Sequence, residues 1–140
     1  MKKRKGGEIW GIAEDTLAFI MEVSKSSYPR EFIGMLNADA DADVITEVLF
    51  LPGTRTSVVN AVIQLDMMPI GLHYVGSVHS HPHSGMGRPS EEDLLIFSRT
   101  GNCHIITFFP YAADNWRCYN SKGEVRKLET VKRDLEEESW

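Results

Sequence analysis

The sequence predicts an α/β fold, a single domain built on a mixed β-sheet flanked by helices. Two observations carry this expectation. Short runs rich in Val, Ile, Phe and Tyr recur between Gly, Pro, Asn and Asp and read as strands. Two other segments place apolar residues at helical spacing. A chain of 140 residues, 42% hydrophobic and 25% charged, is the size and composition of one globular domain with a working core, and no internal repeat or low-complexity segment divides it.

The elements follow in order. Residues 1–10 open on Met1-Lys2-Lys3-Arg4-Lys5 and are expected to be a flexible basic N-terminus, with the folded domain running from 11 to 128. Over residues 11–27, Ile12, Leu17, Ile20, Met21 and Val23 fall on one helical face, and the helix stops before Tyr28-Pro29 because a residue preceding proline is driven out of the α region. Strands are expected near 31–37 and 44–51. Between them, Asn37 to Asp43 is a polar turn whose alternating aspartates resemble an EF-hand loop but lack its central Gly and closing Glu, so it reads as a solvated hairpin. A third strand is expected around 59–65, then a fourth over 72–79, Leu-His-Tyr-Val-Gly-Ser-Val-His, bounded by Pro69 and Gly71 on one side and Pro82 on the other. A helix at 90–100 opens on Ser90 as N-cap and offers Leu94, Leu95 and Phe97 as its apolar face. Strands near 103–109 and 116–120 complete the core, Glu124 to Leu128 adds an edge strand, and residues 129–140 form an acidic, frayed tail.

Within this frame the chemistry concentrates in Val78-His79-Ser80-His81-Pro82 and Arg88-Pro89-Ser90-Glu91-Glu92-Asp93. Strand side chains alternate faces, so His79 and His81 project to the same side about 6–7 Å apart along the chain, with Ser80 opposite. Asp93, in the first helical turn, can face the end of that strand. Two imidazole nitrogens and one carboxylate oxygen suit Zn²⁺ better than Mg²⁺ or Cu⁺. Three protein ligands with an open fourth position are those of a hydrolytic zinc site, here one ion per chain. Each part alone has a structural alternative: a single histidine is commonly a hydrogen-bonded core residue, and Ser90-x-x-Asp93 is also a capping box. The combination points to a metalloenzyme. His83 is set aside as a ligand because Pro82 breaks the strand parity before it.

Composition excludes other classes. A net charge of −5 and a pI near 5.5 argue against nucleic acid or an anionic membrane as the partner. The basic start is followed by Glu8, Glu14 and Asp15 instead of an apolar stretch, so neither a signal peptide nor a transmembrane helix fits, and a cytoplasmic protein is expected. Cys103 and Cys118 lie on neighbouring expected strands where a disulfide is open to them, and neither has a CxxC partner.

Gly76-Ser77-Val78-His79-Ser80-His81-Pro82 with Pro89-Ser90-Glu91-Glu92-Asp93, preceded by Pro29-Arg30-Glu31-Phe32-Ile33-Gly34-Met35-Leu36, resembles the JAMM (MPN-plus) metalloproteases. The similarity is closest to the small stand-alone archaeal members and extends from roughly residue 12 to residue 128. It implies a cytidine-deaminase-like sheet. It also implies roles: His79, His81 and Asp93 as zinc ligands, Glu31 as general base, and Ser90 as a hydrogen-bond donor to the transition state. Read as a residue alone, Glu31 begins the apolar run Phe32 to Leu36, where a carboxylate entering the core is costly unless paired or used. A strand-edge glutamate bridging to Arg30 or Lys25 is the alternative. The spacing departs from the family pattern: eleven residues separate His81 from Asp93, one more than the usual count of about ten, so Glu92 holds the customary position. Asp93 is preferred because the loop His83-Ser84-Gly85-Met86-Gly87 absorbs an added residue at little cost. Adjacent helix positions point about 100° apart, so only one of the two carboxylates can face the metal.

The resemblance further implies a zinc-dependent isopeptidase that cuts between the C-terminal Gly of a ubiquitin-like modifier and a lysine of a target protein, with such modifiers and their conjugates as partners. Two alternatives stand beside it. One is a peptidase processing the C-terminus of a sulfur-carrier or ubiquitin-like protein; the other is a catalytically idle MPN interaction module, against which the complete ligand set speaks. An extended tail is naturally held by strand addition, and residues 53–70, with Met67 and Met68, and the 82–89 loop are the candidate groove walls. Simple core packing is the alternative for the two methionines.

Overall fold

In the computed structural model, which describes residues 8–51, 74–83 and 85–133, the strands form one mixed sheet with a helix against each face. In chain order the elements are β1 (Gly11–Ala13), α1 (Glu14–Ser27), β2 (Ile33–Asp39), β3 (Val44–Leu51), β4 (Tyr74–His81), α2 (Glu91–Phe97), β5 (Cys103–Phe108), β6 (Trp116–Tyr119) and β7 (Glu129–Val131). Their order across the sheet is β6-β5-β4-β2-β3-β1-β7. β4 and β5 run parallel, as do β1 with β3 and with β7, whereas β2 is antiparallel to both β3 and β4. β4 is therefore an interior strand. Its side chains are buried from Val75 to His81, as an interior strand demands.

The two faces of β4 have different fates. Val78 joins Leu17, Ile20 and Met21 of α1, with Leu36 and Ile105, in the main core. On that face Ser24 Oγ lies 2.8 Å from Thr107 Oγ1, so the few polar side chains there satisfy one another. Ser77, His79 and His81 point to the opposite face, which α2 covers. Gly76 marks where β4 and β5 approach most closely: a Cβ there would stand 1.4 Å from the Cys103 carbonyl oxygen, so no other residue fits without moving a strand. Cys103 and Cys118 are buried free thiols with their Sγ atoms 3.4 Å apart.

The β2–β3 hairpin agrees with the expected solvated turn. Asp39 Oδ1 accepts from the Asp41 and Ala42 N–H groups, an Asx turn that uses the aspartates as backbone partners. Four expectations are corrected. The first helix begins at Glu14, not residue 11, because Gly11–Ala13 is a strand slotted between β3 and β7. The N-terminal boundary at residue 10 also moves, since Ile9 is buried in the core and Trp10 Nε1 donates to the Ala42 carbonyl. Of the edge strand expected over 124–128 the antiparallel bridge Val125↔Tyr119 forms beside β6, while Glu129–Val131 is a strand at the opposite edge, so the sheet continues past the expected domain limit at 128. In α2, Ile96 and Phe97 are the buried apolar residues, while Leu94 and Leu95 are 38% and 40% exposed. Positions 93, 96 and 97 share one helical face, so the helix that turns Asp93 inward turns Leu94 and Leu95 outward. The strand expected at 59–65, the segment 53–70 and residues 134–140 of the tail lie outside the described residues. No helix among the described residues is long and apolar enough to cross a membrane.

Candidate metal centre

His79 and His81 are the last two inward-facing residues of β4, and both are almost wholly buried, 2% and 6% exposed. After His81 the chain leaves the sheet through the 82–89 loop. It turns back over Ile106 and Phe108 at Gly87, whose φ of +66° favours glycine and where a Cβ would lie 3.0 Å from the Phe108 ring. This turn delivers Ser90 to the start of α2.

There the capping box is formed in full: Ser90 Oγ accepts from Asp93 N at 3.2 Å, and Ser90 N donates to Asp93 Oδ2 at 2.8 Å. The cap also aims the carboxylate. Asp93 Oδ1 stands 3.0 Å from His79 Nε2, Oδ2 stands 3.3 Å from His81 Nε2, and the two Nε2 atoms are 3.1 Å apart. The structural and chemical readings of Ser90-x-x-Asp93 are thus one arrangement. Glu92, the rival by count, is exposed, and so is His83. Among the described residues, His79, His81 and Asp93 are the group of His, Cys, Asp and Glu side chains whose ligand atoms converge on a point.

This geometry fits zinc. Tetrahedral ligands at about 2.0–2.1 Å from the ion stand roughly 3.3 Å from one another, which is the spacing found here. Two imidazoles and one carboxylate leave a fourth position open. Burial pushes the Asp93 carboxyl upward, but hydrogen bonds from His79 and His81, the charge of His79 and the Ser90 N–H outweigh it and hold the group well below the ordinary carboxylate range. The ligand oxygens are therefore ionised and ready for a cation.

Glu31 is placed differently from the expectation that it enters the core. It is exposed, two residues before β2 begins at Ile33. The Ser80 hydroxyl, on the far face of β4, accepts from Phe32 N at 3.0 Å, and Ser80 N donates to Phe32 O at 3.2 Å. These bonds continue the contact between the two chains past Ile33↔His79 to Phe32 and Ser80, the residues next to Glu31 and His81. Its charge also acts on Tyr111, whose hydroxyl donates to the His81 carbonyl at 2.8 Å. Water can reach this carboxylate, and no burial cost attaches to it.

Sequence reasoning misses the support beneath the ligands. Ser77 N donates to His104 Nδ1 at 3.2 Å, with the Ser77 hydroxyl 2.8 Å from the same nitrogen, so Nε2 carries the proton and donates to the Gly101 carbonyl at 3.0 Å. The His104 ring stacks on Phe97 at 4.3 Å, and Phe97 in turn lies 6.4 Å from the His79 ring. Burial lowers the His104 pKa from 6.5 to about 4, so the ring is neutral when folded and the unfolded chain binds the extra proton. Stability from this group is intact above pH 6.5 and is lost as pH falls toward 4. We expect roughly 2 kcal/mol of it to disappear between about pH 7 and pH 5. Urea unfolding of wild type and His104→Gln at both pH values checks this; equal pH slopes in the two proteins would show that His104 contributes nothing.

Known proteins share the sequence and the fold of this chain. Residues 13–121 match the family model for prokaryotic homologs of the JAB domain. A probable metalloprotease from Haloferax volcanii is 39% identical over 143 residues, covering 96% of this chain and 88% of that protein. A JAB1/MPN domain protein from Archaeoglobus fulgidus superposes with a TM-score of 0.69 at 42% identity, over 86% of this chain and 98% of the other. A structure described as a JAMM metalloprotease-like zinc site in the proteasome and signalosome gives 0.68 at 39% identity, over 88% and 98%. With its buried His79, His81 and Asp93 in the geometry of a zinc site, the chain belongs to the prokaryotic JAB-domain family and is a metallopeptidase of the JAMM type.

Proposed function

We propose that this metallopeptidase is an isopeptidase, hydrolysing the bond between the C-terminal Gly of a ubiquitin-like modifier and a lysine of a target protein. The observation that supports the reading is the convergence of His79, His81 and Asp93 within 3.0–3.3 Å, with Glu31 exposed two residues before β2. His79, His81 and Asp93 would hold a zinc ion, which would supply Lewis acidity toward water and the scissile carbonyl. Glu31 takes the proton of the attacking water and returns it to the leaving amine. Ser90, accepting through its oxygen from Asp93 N, is able to donate its hydroxyl hydrogen to the carbonyl oxygen as charge develops there. Lysine amines and backbone amines leave by the same chemistry, so the site itself also admits a linear Gly-Gly bond.

The experiment offers the purified protein a Gly-Gly conjugate joined to a lysine ε-amine and the same sequence joined linearly, with elemental analysis alongside. About one Zn²⁺ per chain is expected, falling steeply in His79→Ala and His81→Ala. Faster cleavage of the ε-linked conjugate is the expected result. Cleavage of the linear bond alone would make the protein a processing peptidase, and cleavage of neither by zinc-loaded protein would make it an interaction module.

A further inference from the structure

On the face that carries the metal centre, a cavity of about 450 Å³ opens between the 82–89 loop and β6. Met86, Arg88 and Pro89 bound it on the loop side, Arg117 and Tyr119 on the strand side, and Val125 at the rim. Its place relative to the metal is set by register. His79 pairs with Ile106, and Ile106 pairs with Arg117, so the three stand in a row across β4, β5 and β6. Two strand spacings put the Arg117 backbone about 10 Å from that of His79.

The cavity is built to hold an anion. Arg117 is half-buried, and its Nε donates to the Met86 carbonyl at 3.2 Å, which orients the guanidinium and leaves both terminal NH₂ groups for a ligand. Tyr119 forms the floor, its hydroxyl donating to the Gly87 carbonyl at 2.7 Å. Arg88 brings a second positive charge, and both arginines lie close enough to act on the Tyr119 phenol. Among the described residues neither Arg88 nor Arg117 is paired with a carboxylate, although the chain as a whole carries a net charge of −5. The remaining walls are apolar, with Met86 53% and Val125 68% exposed. Two guanidinia with an exposed methionine and valine beside them match a carboxylate on a short aliphatic stem. A free phosphate would leave the apolar walls unused.

Building on the peptidase reading, we infer that this cavity is a substrate subsite for an aspartate or glutamate side chain about three residues from the bond that is cut. The distance follows from the advance of an extended chain, about 3.3 Å per residue, over the 10 Å between the two rows. Its occupant would also lie against Met86-Gly87-Arg88-Pro89, the loop that leads into Ser90 and Asp93.

The test uses two synthetic peptides ending in Gly-Gly, each joined through its C-terminus to a lysine ε-amine and differing only in glutamate or glutamine at the third residue from the bond, the one before Gly-Gly. Titrated calorimetrically into zinc-loaded Glu31→Gln protein, the glutamate peptide should bind roughly tenfold more tightly, with the advantage shrinking as salt rises. Arg88→Gln and Arg117→Gln should each remove most of that advantage and leave the glutamine peptide unaffected, whereas Arg88→Lys should keep part of it. In the otherwise wild-type enzyme, Arg88→Gln should raise KM for the glutamate peptide at unchanged kcat. Arg88 is exposed and makes no structural hydrogen bond among the described residues, so this variant should fold even if Arg117→Gln disturbs the loop. Equal affinities for the two peptides, or an advantage that survives Arg88→Gln, would overturn the subsite. So would inorganic phosphate binding at these arginines with no difference between the peptides. Glutamate-selective, arginine-dependent binding without any hydrolysis by wild-type protein would keep the subsite and remove the isopeptidase reading instead.

Discussion

Replacing Glu31 by glutamine is expected to lower the rate of hydrolysis by roughly 10²–10⁴-fold while zinc content and conjugate affinity stay near those of the wild type. The expectation comes from where the side chain sits. Glu31 lies outside the converging group of ligand atoms, so its loss removes no metal bond. It is exposed and precedes β2, so glutamine, nearly identical in shape, leaves no cavity and buries no new polar group. What changes is basicity: an amide cannot take a proton from water near neutral pH. Single-turnover kinetics on a Gly-Gly-linked conjugate, with zinc measured on the same sample, separates the possibilities. Cleavage at the wild-type rate would reject Glu31 as the base, and loss of the folded state would make it a structural residue.

The parts of the molecule that were legible in sequence are those whose signals are local. β4 reads as a strand from its β-branched and aromatic residues ahead of Pro82, and a period of two then places both histidines on one face without further information. The β2–β3 hairpin is equally local, since its aspartates close the turn on their own backbone. β1 and β7 are different: each has three residues, and their pairing joins Gly11 to Val44 and to Glu129, which no window along the chain contains. The rotation of α2 is a case of competing signals. Leu94 and Leu95 look like the inward face on hydrophobicity alone, but the capping box and the approach to His79 and His81 turn Asp93 inward and bring Ile96 and Phe97 with it. β5 hides its chemistry for another reason. Cys103 to Phe108 is buried on both faces, so alternation gives no sign that His104 shares the metal face with Ile106 and Phe108. The Arg88–Arg117 cavity depends on a register across three strands and was beyond any local reading.

The unusual spacing between His81 and the helix gives the sharpest discrimination at the ligand level. Asp93→Asn is expected to reduce zinc affinity by at least 10–100-fold, the range seen for loss of a mere supporting partner, and to abolish most activity, while Glu92→Gln leaves both unchanged. The two side chains are neighbours in sequence and opposites in environment. Asp93 is 1% exposed, with its two oxygens 3.0 and 3.3 Å from the imidazole nitrogens, whereas Glu92 faces solvent. Asparagine keeps the size of aspartate but loses its charge, and whichever way its amide turns, an NH₂ group replaces an oxygen facing either His79 or both His81 and the Ser90 N–H. In the second orientation the reciprocal half of the capping box, Ser90 N–H to the residue 93 side chain, is lost at a cost of about 1 kcal/mol or less to α2, so folding is followed by circular dichroism alongside zinc content. A folded Asp93→Asn protein that has lost zinc would assign the carboxylate ligand. If Glu92→Gln loses the metal and Asp93→Asn keeps it, α2 is shifted by one residue and the capping box, not the metal, accounts for the buried aspartate.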